Sequence, residues 1–134
     1  FIPLLIGTGG NIGSQTVTTI VRALAIGEIG PQHTPRVFLK EATTGLMLGT
    51  TMAVLMFVRA LLTSGSTAEI GLVVAVTIFS IGIWAAMVGS ILPIVLHRFR
   101  VDPAVVSAPF ISGLVDTTGL MIYFAVAQAV LGLS

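Results

Sequence analysis

Charged residues are scarce in this sequence of 134 residues, since six Lys/Arg and five Asp/Glu make up only 8% of it. Soluble globular domains carry about a quarter charged residues. A soluble domain of this size also exposes about a third of its unfolded surface, which polar groups must cover. The shortage therefore excludes a soluble enzyme and a disordered segment. With a formal net charge of +1, the chain also lacks the basic surface of a nucleic-acid-binding protein.

Cysteine is absent, which excludes a disulfide framework and a thiolate metal site. The two histidines, His33 and His97, have no spacing to carboxylates that would form a zinc site, and no catalytic constellation is present. What is abundant is apolar sequence: hydrophobic residues make up 55% of the chain, and its mean hydropathy is +1.10. We therefore expect an integral membrane protein that is not an enzyme.

Four stretches are long and apolar enough to cross a bilayer, which takes about 20 mostly apolar residues in a helix. They cover about 1–26, 36–62, 68–96 and 102–133. Asp102-Pro103 predicts the start of the fourth span, as an N-cap followed by proline at the first helical position. The predicted fold class is therefore an all-α integral membrane domain over residues 1–134, with four transmembrane helices.

Basic residues gather at the first and third connections between spans. Residues near the three connections are, in order, Arg22, Arg36 and Lys40; then Arg59 and Glu69; then Arg98 and Arg100. The positive-inside rule places the first and third connections in the cytoplasm, and we expect a multi-pass protein of the plasma (inner) membrane. Because Phe1 begins inside an apolar stretch and four spans leave little room for an internal pathway, we expect a preceding transmembrane helix and an oligomer.

Asp116 is the one charged residue far from a span end, about 20 Å along the helix from Asp102. An ionised Asp at that depth costs about 2.5–3.5 kcal/mol on insertion scales, and no Lys or Arg lies at the same depth. Either the carboxyl is protonated and hydrogen-bonds across helices, or water or a cation compensates its charge. We favour the second interpretation, because intramembrane ionisable residues without a partner mark ion pathways.

The helical face around Asp116 is small and polar, which suits a cation path or close helix packing. Its members at spacings of three and four are Pro109, Ser112, Gly119 and Tyr123. The first span carries a second polar stripe, whose members could line the path or hydrogen-bond between helices. They are Thr8, Asn11, Gln15, Thr18 and Arg22.

Residues 7–13, with the sequence GTGGNIG, resemble a phosphate-binding loop, but Ile12 stands where G-x-G-x-x-G requires glycine. At membrane depth the run instead predicts a flexible or locally unwound backbone. The G-x-x-x-G pairs Gly9/Gly13 and Gly45/Gly49 predict close helix contacts.

Oxygen ligands of this kind suit hard cations such as Mg²⁺, which sheds its water reluctantly and binds through one or two carboxylates. One Asp per chain cannot form a dehydrated cage. Two Asp116 side chains related by a twofold axis could hold a hydrated divalent cation through its waters, which predicts a cation pathway in a dimer.

Three segments resemble the transmembrane domain of the MgtE family of magnesium channels, and the resemblance covers essentially the whole chain. They are PLLIGTGGNIGSQ at 3–15 with RALA at 22–25, RVFLKE at 36–41, and VDPA at 101–104 with DTTGL at 116–120. The resemblance implies a homodimer of five-helix protomers, with the pore lined by the first and last spans of this chain.

The resemblance further implies that Asp116 is the pore carboxylate that recognises hydrated Mg²⁺, both the transported ion and the pore ligand. It implies that Asn11 and backbone oxygens near Gly9, Gly10 and Ser112 line the path. With Gln15 and Gly119 from the two polar faces, these residues form the predicted pore lining. Ala108 stands where some members have asparagine, so no polar contact is predicted there. Cytosolic regulatory domains of the family lie outside these residues.

Three functions stay open at this point. The first is a passive Mg²⁺-selective channel, and the second is a Mg²⁺ carrier of the same fold coupled to Na⁺ or H⁺. In the third, a structural subunit without transport, replacing Asp116 would leave growth on low Mg²⁺ unaffected. Dependence of uptake on a Na⁺ or H⁺ gradient distinguishes the first two.

Overall fold

The computed structural model describes residues 1–132, which form four long α-helices and two short 3-10 helices. The long helices are α1 (Ile2–Ala25), α2 (Thr34–Leu62), α3 (Ala68–Arg98) and α4 (Ala108–Leu131). The 3-10 helices are Pro31–His33 and Pro103–Val105. No strand is present in this part of the chain, and the predicted all-α fold class is confirmed.

Three segments have the length and hydropathy of membrane spans, namely Pro31–Leu62, Ala68–Arg98 and Ala108–Leu131. The 24-residue helix α1 is long enough to cross a bilayer. Glycine and polar residues interrupt its apolar sequence, however, so it is not one of the three. A helix of this composition needs neighbours or water along its polar face.

Helix α3 forms the centre of the bundle. Half of its most apolar 18-residue stretch is buried inside the bundle, whereas only 17% of the corresponding stretch is buried in α2 and in α4. It packs against each of the other long helices, and α4 also packs against α1. The main core cluster joins α1, α3 and α4, and α2 adds only partly buried side chains to it. Its buried members include Leu5, Val17, Ile78, Ile81, Ile111 and Val115. The backbones of α1 and α2 stay farther apart; Ile20 and Leu24 of α1 belong to a second apolar cluster with Val37 of α2 and Ile94 of α3, and cavities lie between the two helices.

Glycines allow the backbones of α2 and α3 to meet. A Cβ atom on Gly82 would lie 2.9 Å from the Cα atom of Gly49, and one on Gly49 would lie 2.9 Å from the carbonyl oxygen of Phe79. A Cβ atom on Gly45 would lie 2.8 Å from that of Ala86. The prediction that Gly45 and Gly49 mark a close helix contact is confirmed.

Replacing Gly82 by alanine should destabilise the bundle by about 1–3 kcal/mol, because the added methyl group meets backbone that no rotamer change can move. Thermal unfolding in detergent would measure the loss. Gly113→Ala is the matched control, since nothing lies within 4 Å of its Cβ position; it should gain up to about 1 kcal/mol from helix propensity. Equal melting temperatures for the two variants would contradict the backbone contact.

The predicted start of the fourth span was wrong. Asp102 caps the short 3-10 helix Pro103–Val105, where its Oδ1 atom accepts a hydrogen bond from the Ala104 amide at 2.9 Å. Helix α4 begins only at Ala108, after the N-cap Ser107. This start puts Pro109 in the first turn, where its missing N–H and its ring are tolerated, whereas a helix from 102 would place it in the interior. The predicted end at 133 lies outside the described residues.

Residues 7–13 were predicted to be flexible or locally unwound. The unwound alternative was wrong, because α1 runs unbroken from Ile2 to Ala25, and the flexibility stays a prediction. An unwound segment would leave backbone groups without hydrogen bonds, which is costly in a membrane. The glycines of this segment instead let α1 pack closely against its neighbours. A Cβ atom on Gly13 would lie 2.8 Å from the Cγ2 atom of Ile111, and one on Gly9 would collide with Ile81.

Candidate functional site

Asp116 lies on α4 and faces α1 at Gly10. A Cβ atom on Gly10 would lie 2.7 Å from the Oδ1 atom of Asp116 and 2.6 Å from the Oγ atom of Ser112. Ser112 is one helical turn before Asp116, and its hydroxyl donates a long hydrogen bond of 3.5 Å to Oδ2. The carboxylate therefore occupies the space that the missing side chain of Gly10 leaves between the two helices.

The Asp116 carboxylate is only partly satisfied. The residue is half-buried, and its Oδ1 atom is buried without a hydrogen-bond partner in the described chain. A buried carboxylate oxygen without a donor costs free energy that water or a cation would recover. No group of three or more His, Cys, Asp or Glu that could hold a metal ion occurs among residues 1–132, so a dehydrated ion would lack ligands here.

The predicted pore-lining residues fall into three groups. Gly10 and Ser112 contact the Asp116 carboxylate, as described above. Asn11 and Gln15 are exposed on α1. Gly9 and Gly119 are buried against Ile81 of α3. The structure thus brings Gly10, Ser112 and Asp116 together, and the pore-lining role of all six residues stays a prediction.

The polar stripe of α1 is largely uncovered. Asn11, Gln15, Thr18 and Arg22 are exposed, and a cavity of about 450 Å³ lies over this face, between α1 and the start of α4. The Thr18 hydroxyl donates to the Ser14 carbonyl oxygen at 2.7 Å. Its lone pairs therefore remain as acceptors on a face that no other part of residues 1–132 covers.

Two polar features were not predicted as parts of a site. The indole Nε1–H of Trp84 donates to the Thr118 hydroxyl at 2.8 Å, which ties α3 to α4 two residues after Asp116. The second is Glu41 of α2, which is only 8% exposed. Helix periodicity could have indicated its burial, because Val37, Glu41 and Gly45 share one face of α2 and all are buried.

The comparisons with known proteins agree in one family. The family model MgtE, described as a divalent cation transporter, matches residues 2–126. A "Magnesium transporter MgtE" of Thermus thermophilus is 44% identical over 131 residues, which cover 98% of this chain and 29% of that protein. Proteins of the same name from Bacillus subtilis and Enterococcus faecalis are 36% and 35% identical, each over 96% of this chain and 28% of their own length. The chain thus spans less than a third of these relatives.

Proposed function

The chain belongs to the MgtE family of divalent cation transporters, and from this premise we propose that it forms the pore of a Mg²⁺-selective channel. In this proposal the channel is a homodimer. Each protomer contributes Asp116, and the two carboxylates hold hydrated Mg²⁺ through its water shell. The named relatives are magnesium transporters, which supports Mg²⁺ as the transported ion.

One observation carries the proposal: the Asp116 carboxylate, inside an apolar helix bundle, has a buried oxygen without a hydrogen-bond partner among residues 1–132. The only side-chain hydrogen bond to it in the described residues is the long one from Ser112. The waters around Mg²⁺ are strongly polarised donors, so they would supply the hydrogen bonds that the protein lacks. The ion's charge would at the same time offset the burial of the acid.

The uncovered stripe of α1 supports the dimer. Asn11, Gln15 and Thr18 present amide and hydroxyl groups on a face that the other helices of this chain leave exposed. If α1 and α4 line a pathway on a twofold axis, this face becomes the wall of an aqueous conduit. Two carboxylates there balance the double charge of one Mg²⁺, while a monovalent cation leaves one negative charge uncompensated, which favours divalent ions.

The Mg²⁺ path requires a defined orientation in the membrane. We propose a plasma-membrane protein with its first and third connections in the cytoplasm, because basic residues flank both connections. Regulation by cytosolic domains elsewhere in the full-length protein belongs to the same proposal.

Flux measurements on the full-length protein in liposomes test the channel function. We expect Mg²⁺ entry to follow the Mg²⁺ gradient and the membrane potential and to proceed without a Na⁺ or H⁺ gradient. Imposing either of those gradients at constant voltage should leave the initial rate unchanged. A rate that requires the Na⁺ or H⁺ gradient would instead establish a coupled carrier and contradict the channel.

A further inference from the structure

Trp84 lies near the middle of the 31-residue helix α3. Membrane proteins concentrate tryptophan at the two membrane interfaces instead, where the indole N–H reaches water or lipid headgroups. At the middle of a span the N–H needs a partner from the protein, because hydrocarbon offers none. The partner is the Thr118 hydroxyl of α4, whose oxygen lies 2.8 Å from the Nε1 atom of Trp84.

The surroundings of this hydrogen bond are apolar. A groove of about 350 Å³ runs beside the indole, lined by Trp84 and four other residues of α3 and by Leu114 of α4, without polar surface. The Thr118 hydroxyl donates its own proton to the Leu114 carbonyl oxygen at 2.8 Å, with the Val115 carbonyl oxygen farther away at 3.3 Å. A lone pair of the hydroxyl therefore remains for the indole. Moving Thr118 away would leave the Trp84 N–H unpaired, which is costly in an apolar setting.

Thr118 and Asp116 connect α4 to two different helices at nearly the same depth. With 3.6 residues per turn, positions 116 and 118 point about 160° apart around the axis and lie about 3 Å apart along it. Asp116 faces Gly10 of α1, whereas Thr118 meets Trp84 of α3. A rotation of α4 that carries the carboxylate out of the space beside Gly10 therefore also pulls Thr118 away from the indole.

Helix α4 forms two hydrogen bonds to the other long helices within residues 1–132. Ser14 of α1 donates to the Ala108 carbonyl oxygen at 3.0 Å, at the first residue of α4, and Trp84 donates to Thr118 near its middle. The packing of α4 on α3 is otherwise apolar, as where Gly119 meets Ile81. Because apolar packing is non-directional, the hydrogen bond from Trp84 defines the position of α4 at the depth of Asp116.

We propose that Trp84 is a positioning residue of the ion site, which holds the Asp116 carboxylate beside Gly10 through its hydrogen bond to Thr118. This role rests on the proposed function, because it acts through Asp116. Without the bond, α4 also adopts positions in which the carboxylate is displaced, and only the remaining fraction of the protein binds Mg²⁺. The apparent affinity falls with that fraction, whereas saturating Mg²⁺ draws α4 back into position.

Trp84→Phe in the full-length protein tests the role, since it keeps an aromatic ring and removes the donor. We expect the Mg²⁺ concentration for half-maximal flux into liposomes to rise about three- to tenfold, while the maximal flux per folded protein stays unchanged. This change corresponds to about 0.6–1.4 kcal/mol, as expected for one hydrogen bond between membrane helices.

The partner residue provides the matching variants. Thr118→Val removes the acceptor and should raise the half-saturating concentration by the same factor as Trp84→Phe. The double variant should show that factor once, because either substitution alone breaks the bond. Thr118→Ser keeps the hydroxyl and should therefore restore the half-saturating concentration of the parent protein.

Two further measurements separate positioning from stability. Gly82→Ala disturbs the contact of α3 with α2 and not with α4, so it should lower the melting temperature without changing the half-saturating concentration. Tryptophan fluorescence tests the hydrogen bond apart from transport, since Trp84 is the one tryptophan of this sequence. With tryptophans elsewhere in the full-length protein replaced, Thr118→Val should shift the emission to shorter wavelength, because the excited indole loses its hydrogen-bonded neighbour.

Four results would overturn the positioning role. They are unchanged emission in Thr118→Val, an unchanged half-saturating concentration in Trp84→Phe, effects of these two substitutions that multiply in the double variant, and an equal rise in Gly82→Ala. If Trp84→Phe does not fold, Thr118→Val still decides. Failure of the pore proposal looks different: Asp116→Asn would then transport normally. Lost flux in Asp116→Asn beside normal half-saturation in Trp84→Phe would contradict the positioning role alone.

Discussion

Asp116→Asn should lower Mg²⁺ flux through the full-length protein at least about a hundredfold, equivalent to about 2.7 kcal/mol, while the protein stays folded and keeps the proposed dimer. The substitution keeps the size of the side chain and removes its charge. An interaction between charges near 4 Å is worth about 4 kcal/mol at an effective dielectric constant of 20, so losing it from each protomer accounts for an effect of this size. Initial rates of Mg²⁺ uptake into liposomes would measure the change.

Stability provides the second readout of this variant. Burying an ionised Asp is costly in a membrane, so the amide should leave the melting temperature unchanged or raise it. Glu69→Gln is the control, since Glu69 is an exposed acid in the first turn of α3, and it should transport like the parent protein. Undiminished flux in Asp116→Asn would exclude Asp116 from the pore, and a structural subunit would show no Mg²⁺ flux in the parent protein.

Gly10→Ala should reduce Mg²⁺ flux about tenfold or more without changing any charge. Its methyl carbon would lie 2.7 Å from the Asp116 Oδ1 atom and 2.6 Å from the Ser112 Oγ atom. The carboxylate must then leave the space between α1 and α4, or the two helices must separate, which costs about 1–3 kcal/mol. Flux in liposomes and thermal unfolding in detergent would measure the two effects.

Gly7→Ala is the matched control for this effect. Gly7 lies on the same helix, is exposed, and has nothing within 4 Å of its Cβ position. This variant should transport normally and gain stability of up to about 1 kcal/mol from helix propensity. Adding Ser112→Ala to Gly10→Ala removes one of the two clashes and should recover stability, whereas flux should stay low because the clash with Asp116 remains. Normal flux in Gly10→Ala would contradict the position of the carboxylate.

The helices and their approximate ends were predictable because each depends on local sequence. Apolar length identified the spans that became α2 and α3, with ends within two residues of the observed ones. The start of α4 was not predicted, because Asp102-Pro103 and Ser107 with Pro109 both resemble helix starts. Only the chain beyond Asp102, which forms a 3-10 helix against α3, decides between them.

The candidate site divides in the same way. Asp116 was predictable from the sequence by itself, because the cost of a charge in the membrane depends on depth, and depth follows from position along a span. Two features depend instead on which helix faces meet. One is the space beside Gly10 that the carboxylate occupies, and the other is the burial of Glu41 on α2. Contacts between helices distant in the sequence set those faces, so the tertiary structure alone decided where the acids lie and what surrounds them.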